Sequence, residues 1–166
     1  MRRSVILFAV LSVAFLAACS GSDEPAAPNA VATAVAVPAM DHIQTDEVMT
    51  VYASPTCGCC HEYIPYLEGH GLTVKTEVTE DVNSIKEEYG IPESAWSCHT
   101  AVIGDYYVEG HVPIEAVERL LEDEPNIDGI ALPGMPAGSP GMDGEKVGPF
   151  EVVAIKDGQT KPYMSI

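Results

Sequence analysis

Apolar residues along the chain fall into a few dense runs separated by polar or Gly/Pro-rich stretches. After an apolar opening run, hydrophobicity thins out and returns at VMTVYAS (48–54), a β-branched apolar run of buried-strand character. Ser54-Pro55-Thr56 breaks it and offers Thr56 or Cys57 as a helix cap. A helix over 58–69 follows, with Tyr63, Ile64 and Leu67 at helical spacing, Pro65 as a source of distortion, and Gly69 and Gly71 as the stop. LTVKTEV (72–78) alternates as a strand, DVNSIKEEYG (81–90) reads as a capped helix closed by Gly90, and TAVIGDYYVEG (100–110) reads as a hairpin turning at Gly104-Asp105. PIEAVERLLEDEP (113–125) opens with proline at a helix start and sets Ile114, Val117, Leu120 and Leu121 on one face.

The order is therefore β-α-β-α-β-β-α, an α/β pattern of thioredoxin-like type with cysteines at the start of its first helix. Residues 129–150 carry many Gly and Pro with no period, which predicts a long loop wrapped against the domain. EVVAIKDGQTKPYMSI then alternates around Asp157-Gly158 as a closing β-hairpin.

The opening run changes the picture of what the 166 residues are. MRRSVILFAVLSVAFLAACSGS has two arginines, an apolar core and small residues, the pattern of a secretory signal. Its end, Leu16-Ala17-Ala18-Cys19, resembles the bacterial lipoprotein cleavage box. That resemblance implies residues 1–18 as signal peptide, Cys19 as a lipidated first residue, and a membrane anchor on the periplasmic side. Ser20 after the cysteine favours the outer membrane on the same analogy. Residues 19–46, rich in Ala, Pro, Ser and Asp, read as a disordered tether, leaving 47–166 as the folded domain with its C-terminal extension. Met40-Asp41-His42 offers the tether a weak cation contact. Without residues 1–18 the chain keeps 6 basic against 25 acidic residues, a formal charge of −19. Electrostatics of that sign repel nucleic acid and anionic lipid surfaces.

Four thiols then remain, Cys57, Cys59, Cys60 and Cys98. An extracytoplasmic compartment permits disulfides, but adjacent Cys59 and Cys60 are poor partners because vicinal bridges are strained. Cys57 and Cys60 have the C-x-x-C spacing of a redox dithiol, whereas Cys57 and Cys59 have the C-x-C spacing of a chelate. A helix N-terminus lowers thiol pKa values and favours thiolate, which serves either chemistry. A dithiol reductase needs only two sulfurs, and a third is a liability. Cys98 stands just before the third strand, where Cys98 or His99 could face Cys57 and Cys60. Four converging sulfurs suit Cu(I), Zn(II) or an iron–sulfur cluster.

SPTCGCCHEYI (54–64), SCHTAVIGDYYVEGHVP (97–113) and LPGMPAGSPGM (132–142) together resemble the CopG-type copper-resistance family, long described as a metal-binding domain of unknown function. The resemblance runs from about Val48 to Ile155. It implies a thioredoxin-like fold, periplasmic copper handling, Cys57, Cys59, Cys60 and Cys98 as ligands of several Cu(I) ions in a thiolate-bridged cluster, and a redox step between Cu(II) and Cu(I). Residue chemistry agrees. Four thiolates around one Zn(II) leave a charge of roughly −2 and need a closed tetrahedron that vicinal cysteines fit awkwardly, whereas they bridge neighbouring Cu(I) ions readily. Zinc is the poorer fit.

His99 and His111 bracket the predicted hairpin and stand either as metal ligands or as hydrogen-bond partners of a sulfur. His61 should face solvent. Met135 and Met142 either offer thioether donors to Cu(I) or plug apolar gaps. Trp96 and Tyr107 are expected in the core or shielding the site. Two other functions remain open: a thiol-disulfide oxidoreductase using Cys57 and Cys60, and a structural zinc or iron–sulfur module for a protein partner. Other periplasmic copper-handling proteins are candidate partners. No hydrolase triad, phosphate-cradling loop or paired-carboxylate motif stands out.

Overall fold

In the computed structural model the described residues are Ile43 and 45–166. The expected signal peptide, Cys19, Met40-Asp41-His42 and most of the expected tether lie outside them. Ile43, placed by the sequence in the tether, donates its N–H to the His70 carbonyl at 3.2 Å and packs on the core. Among the described residues no helix is long and apolar enough to cross a membrane.

Strand β1 (Val48–Ala53) sits inside the sheet because every second residue, Met49, Val51 and Ala53, has an apolar side chain to bury. Helix α1 (Gly58–Gly69) carries the chain back to β2 (Thr73–Val78), which pairs parallel with β1. Helix α1 runs through Pro65 without a break, and turns Cys60, Tyr63 and Leu67 inward. Helix α2 (Val82–Glu88) starts where Asp81 accepts from the Ser84 N–H at 3.1 Å. A 3-10 turn at Glu93–Ala95 then leads into the hairpin of β3 (Thr100–Ile103) and β4 (Tyr106–Glu109). Strand β3 lies antiparallel against β1. Helix α3 (Ile114–Asp123) buries Ile114, Val117 and Leu120, each removal of such a side chain from water contributing ~1.5–3 kcal/mol.

Strands β5 (Gly129–Ala131), β6 (Glu151–Lys156) and β7 (Gln159–Ser165) complete one seven-stranded mixed sheet of order β2-β1-β3-β4-β5-β6-β7. The sequence pattern places 129–150 wholly in loop, and here the structure differs: its first three residues pair parallel with β4 and antiparallel with β6. Gly129 permits this, since an added Cβ would lie 2.3 Å from the Tyr107 carbonyl oxygen. The closing hairpin extends the same sheet, turning at Asp157 and Gly158 with φ of 50° and 71°, as a two-residue Asp-Gly turn requires.

One core unites α1 and α3 with Met49, Val51, Ala101, Ile103, Val108 and Val152 of the sheet. The opposite face buries a smaller cluster of Ile91, Ala95, Tyr107, Ala131 and Ile155, with Trp96 and Val102 beside it. Tyr107 and Trp96 therefore serve this second core, Trp96 also donating its indole N–H to the Ile91 carbonyl at 2.8 Å.

Candidate metal centre

Chain reversal after β1 places the cysteines. The Cys57 N–H bonds the Ser54 carbonyl at 3.1 Å, closing a tight turn. Cys57 becomes the N-cap of α1 through its backbone alone, with no side-chain cap. Its sulfur is thus left for other chemistry. Cys57 and Cys60, one helical turn apart, form a disulfide, while Cys59 and Cys98 are free thiols. The Cys59 sulfur lies 3.5 Å from that of Cys57.

Cys98 comes from the segment between the 3-10 turn and β3. Its sulfur lies 3.7 Å from that of Cys59 and 3.6 Å from that of Cys60. The four sulfurs fall within 4.8 Å of one another, close enough to share metal ions once the disulfide is reduced. The Cys98 sulfur also belongs to a second group with His99 and His111. His99 Nδ1 is 3.3 Å from it and His111 Nε2 is 3.0 Å away.

Proton positions follow from partners. His111 Nδ1 lies 2.7 Å from the Pro140 carbonyl, which can only accept, so that nitrogen carries the hydrogen. Neutral His111 then turns an Nε2 lone pair toward Cys98, able to accept its S–H or to bind metal. An outward N–H bond to a backbone carbonyl is the usual orienting contact of a metal-ligating histidine. Burial pushes the Cys98 thiol up to about 12, with the nearby Cys59 adding to the rise. Burial holds His99 neutral well below its ordinary range, helped by the neighbouring His111 and Lys86. Burial also lowers His111, against the Pro140 bond. Cys98 lies away from the start of α1, and there desolvation keeps the proton on. His99 Nε2 is buried without a partner.

Three rings back the site. Tyr63 packs at 4.8 Å from His99 and 5.5 Å from His111, and the two imidazoles stand 4.9 Å apart at right angles. The Tyr63 hydroxyl donates to the Val112 carbonyl at 2.7 Å. The Gly/Pro segment closes on the same place: Gly141, at φ 78°, lies so near α1 that an added Cβ would be 2.9 Å from the Cys59 carbonyl oxygen. Met142 follows it and is half-buried, whereas Met135 is 56% exposed. His61 is exposed.

The sequence reading names the four cysteines and both histidines, and the fold brings all six together. It misses Tyr63, read only as a core residue of the helix, and the Pro140 carbonyl. It also misses the buried pair Lys86 and Glu109 beneath Cys98, although alternation with Tyr107 in β4 signals that Glu109 points inward.

Comparisons with known proteins agree with this geometry. A family model described as "Protein of unknown function, DUF411" matches residues 95–142, the stretch holding Cys98, His99, His111, Met135 and Met142. No curated protein matches the chain. Two solved structures of a copper resistance protein, CopG in form 2 and in form 1, are each 37% identical and cover 72% of this chain. They are themselves covered over 98% and 96% of their length, with TM-scores of 0.67 and 0.66. Identity at that level over nearly the whole length of the neighbour fixes kinship as well as fold: the chain belongs to the CopG-type copper-resistance family.

Proposed function

We propose that this protein is a lipid-anchored, extracytoplasmic copper-binding protein that holds several Cu(I) ions in a thiolate-bridged cluster. One observation carries the reading: the Cys98 sulfur lies 3.7 and 3.6 Å from those of Cys59 and Cys60, although 38 residues separate Cys98 from Cys60. Sulfur donors that close, drawn from two distant segments, form a soft basket suited to Cu(I). Copper here is cargo. Loading begins when an external dithiol reduces the Cys57–Cys60 disulfide by thiol–disulfide exchange, leaving two thiols on the protein and carrying the disulfide away on the reductant. Each thiol then loses its proton to solvent or a base as a Cu–S bond forms. His111 Nε2 faces the basket as an additional donor or proton acceptor, and Met142, next to Gly141 on the loop seated against α1, is the candidate thioether donor. Thiolates bridging Cu(I) approach neutrality, as a poorly solvated site demands, and zinc fits this set less well.

The order of elements and the cysteines at the start of α1 support a thioredoxin-like reading of the fold, with the Gly/Pro segment as an extension over the site. Cys19 as a lipidated residue, residues 1–18 as signal peptide and an outer-membrane location rest on the sequence alone. Replacement of Cys19 by Ser is expected to abolish labelled palmitate incorporation and to release the protein from the membrane fraction. Retention of both would sink the anchor.

The protein prepared anaerobically with Cu(I) is expected to retain more than one copper per chain, with thiolate-to-copper charge-transfer absorption. Cys59→Ser should sharply reduce that stoichiometry. The disulfide favours a second reading, thiol-disulfide exchange through Cys57 and Cys60. It prevails if Cys59→Ser leaves copper binding untouched while Cys60→Ser abolishes reduction of insulin disulfides.

A further inference from the structure

Lys86 and Glu109 lie beneath the Cys98 segment, 1% and 0% exposed, and neither is used in the chemistry above. Lys86 lies on α2, and its ammonium donates to Glu109 Oε1 at 2.5 Å and to Thr100 Oγ1 at 3.1 Å. The remaining bonds of the carboxylate are specific. Oε1 accepts the Ser97 backbone N–H at 2.6 Å, and Oε2 accepts the Thr100 hydroxyl at 2.6 Å. Ser97 and Thr100 flank the Cys98-His99 dipeptide on either side.

Such a pair is a poor device for stability alone. Taking two charges out of water costs several kcal/mol per ion, and well-packed apolar replacements are often neutral or stabilising. What the carboxylate supplies that an apolar side chain cannot is direction, since it fixes two neighbours of Cys98 at once. Further bonds hold the same segment: the Gly110 N–H to the His99 carbonyl at 3.0 Å, the Gly134 N–H to the Trp96 carbonyl at 2.9 Å, and the Ser97 hydroxyl to the Gly134 carbonyl. Gly110, at φ 79°, leaves no room for slack, because an added Cβ would strike Ser97.

We propose that Glu109, neutralised by Lys86, is a positioning residue for copper binding: it clamps Ser97 and Thr100 so that the Cys98 sulfur is held within reach of Cys59 and Cys60. This rests on the copper reading for its purpose, but the clamp itself has a copper-free signature. In a Cys57→Ser/Cys60→Ser background, Cys59 and Cys98 are the remaining site thiols, 3.7 Å apart. The azo oxidant diamide joins them, two thiols losing two protons and two electrons to form one disulfide while diamide becomes the hydrazine.

The test compares the parent with Lys86→Met/Glu109→Leu, which removes the charges and the clamp, and Lys86→Met/Glu109→Gln, which keeps an oxygen to accept from Ser97. Cu(I) retention is read in the chain that has all four site cysteines, and cross-linking in the Cys57→Ser/Cys60→Ser background. Cu(I) retention against a chromophoric chelator is expected to fall about tenfold or more in the Leu variant, with an altered charge-transfer band. Cross-linking by diamide is expected to slow in the same variant. The Gln variant should move both readouts back toward the parent, whereas a merely structural role would follow melting temperature and show no such rescue. Should the Leu variant fail to fold, Thr100→Val decides, since it keeps the ion pair and removes one clamp bond. It should weaken Cu(I) retention and slow cross-linking without loss of fold. Parent-like affinity and cross-linking in the folded variants, or a loss that Gln does not relieve, would overturn the clamp. A parent that retains no Cu(I) would sink the copper function, and the cross-linking rates alone would then judge the clamp.

Discussion

His99 is buried against Tyr63 and His111 and is held neutral by desolvation, with the nearby His111 and Lys86 adding to the effect. This has a consequence for acid stability. In the unfolded chain the ring titrates near ~6.5, while in the folded protein it stays neutral to lower pH. Below that point the unfolded state binds more protons, so stability is complete above pH ~6.5 and is lost as pH falls toward the depressed folded value, by up to ~1.4 kcal/mol per unit for one ring. His111 acts in the same direction. Urea titrations of the metal-free protein between pH 7.5 and 5 should show this fall, and His99→Phe should flatten it. A slope unchanged by that substitution would place the acid sensitivity elsewhere in this window, and Asp81 and Asp128 are not candidates, because their lowered carboxyls lose stability only at and below pH ~4. At this scale the cysteine cluster and both histidines were legible from residue type and spacing. The proton positions were not, because they depend on the Pro140 carbonyl 29 residues from His111.

Among elements, the Gly/Pro segment is seated closely on α1. Gly141 at φ 78° has backbone atoms of α1 where a side chain would go, with Tyr63 N at 2.8 Å from an added Cβ. Backbone cannot yield as a flexible side chain can. Gly141→Ala is therefore expected to cost ~1–3 kcal/mol, combining left-handed strain with overpacking. Denaturant unfolding of the variant checks this, and a loss below a few tenths would mean that the segment is not seated. Most elements could be read directly. Helix α3 declared itself by Ile114, Val117 and Leu120 on one face, and the β6–β7 turn by Asp157-Gly158, since both signals are local. Strand β5 could not: three residues beginning with glycine have no period, and they become a strand only because β4 and β6 lie on either side.

For the whole molecule, ligand binding and folding are linked, because the sulfurs of α1 and Cys98 converge only in the native state. Cu(I) held at about 100 times its dissociation constant should add about 2.7 kcal/mol to stability, after reduction of the Cys57–Cys60 disulfide. A melting series under anaerobic reductant, with and without Cu(I), should show a rise that depends on copper concentration. No rise would mean that copper does not bind the native chain or binds the unfolded chain equally well. The formal charge of −17 over the full chain opposes anionic partners in every state and so bears on partners without selecting the fold.

The sequence by itself determined the mixed α/β order of elements, the soft-donor inventory and the family resemblance, since these rest on local periodicity and on residue identity at fixed spacing. Only the tertiary structure decided that Cys98 meets Cys59 and Cys60, that His111 turns its Nε2 inward, and that Lys86 and Glu109 pair out of water. Those outcomes join residues tens of positions apart. Their positions are set by sheet pairing and burial, for which no short stretch of chain carries a signal.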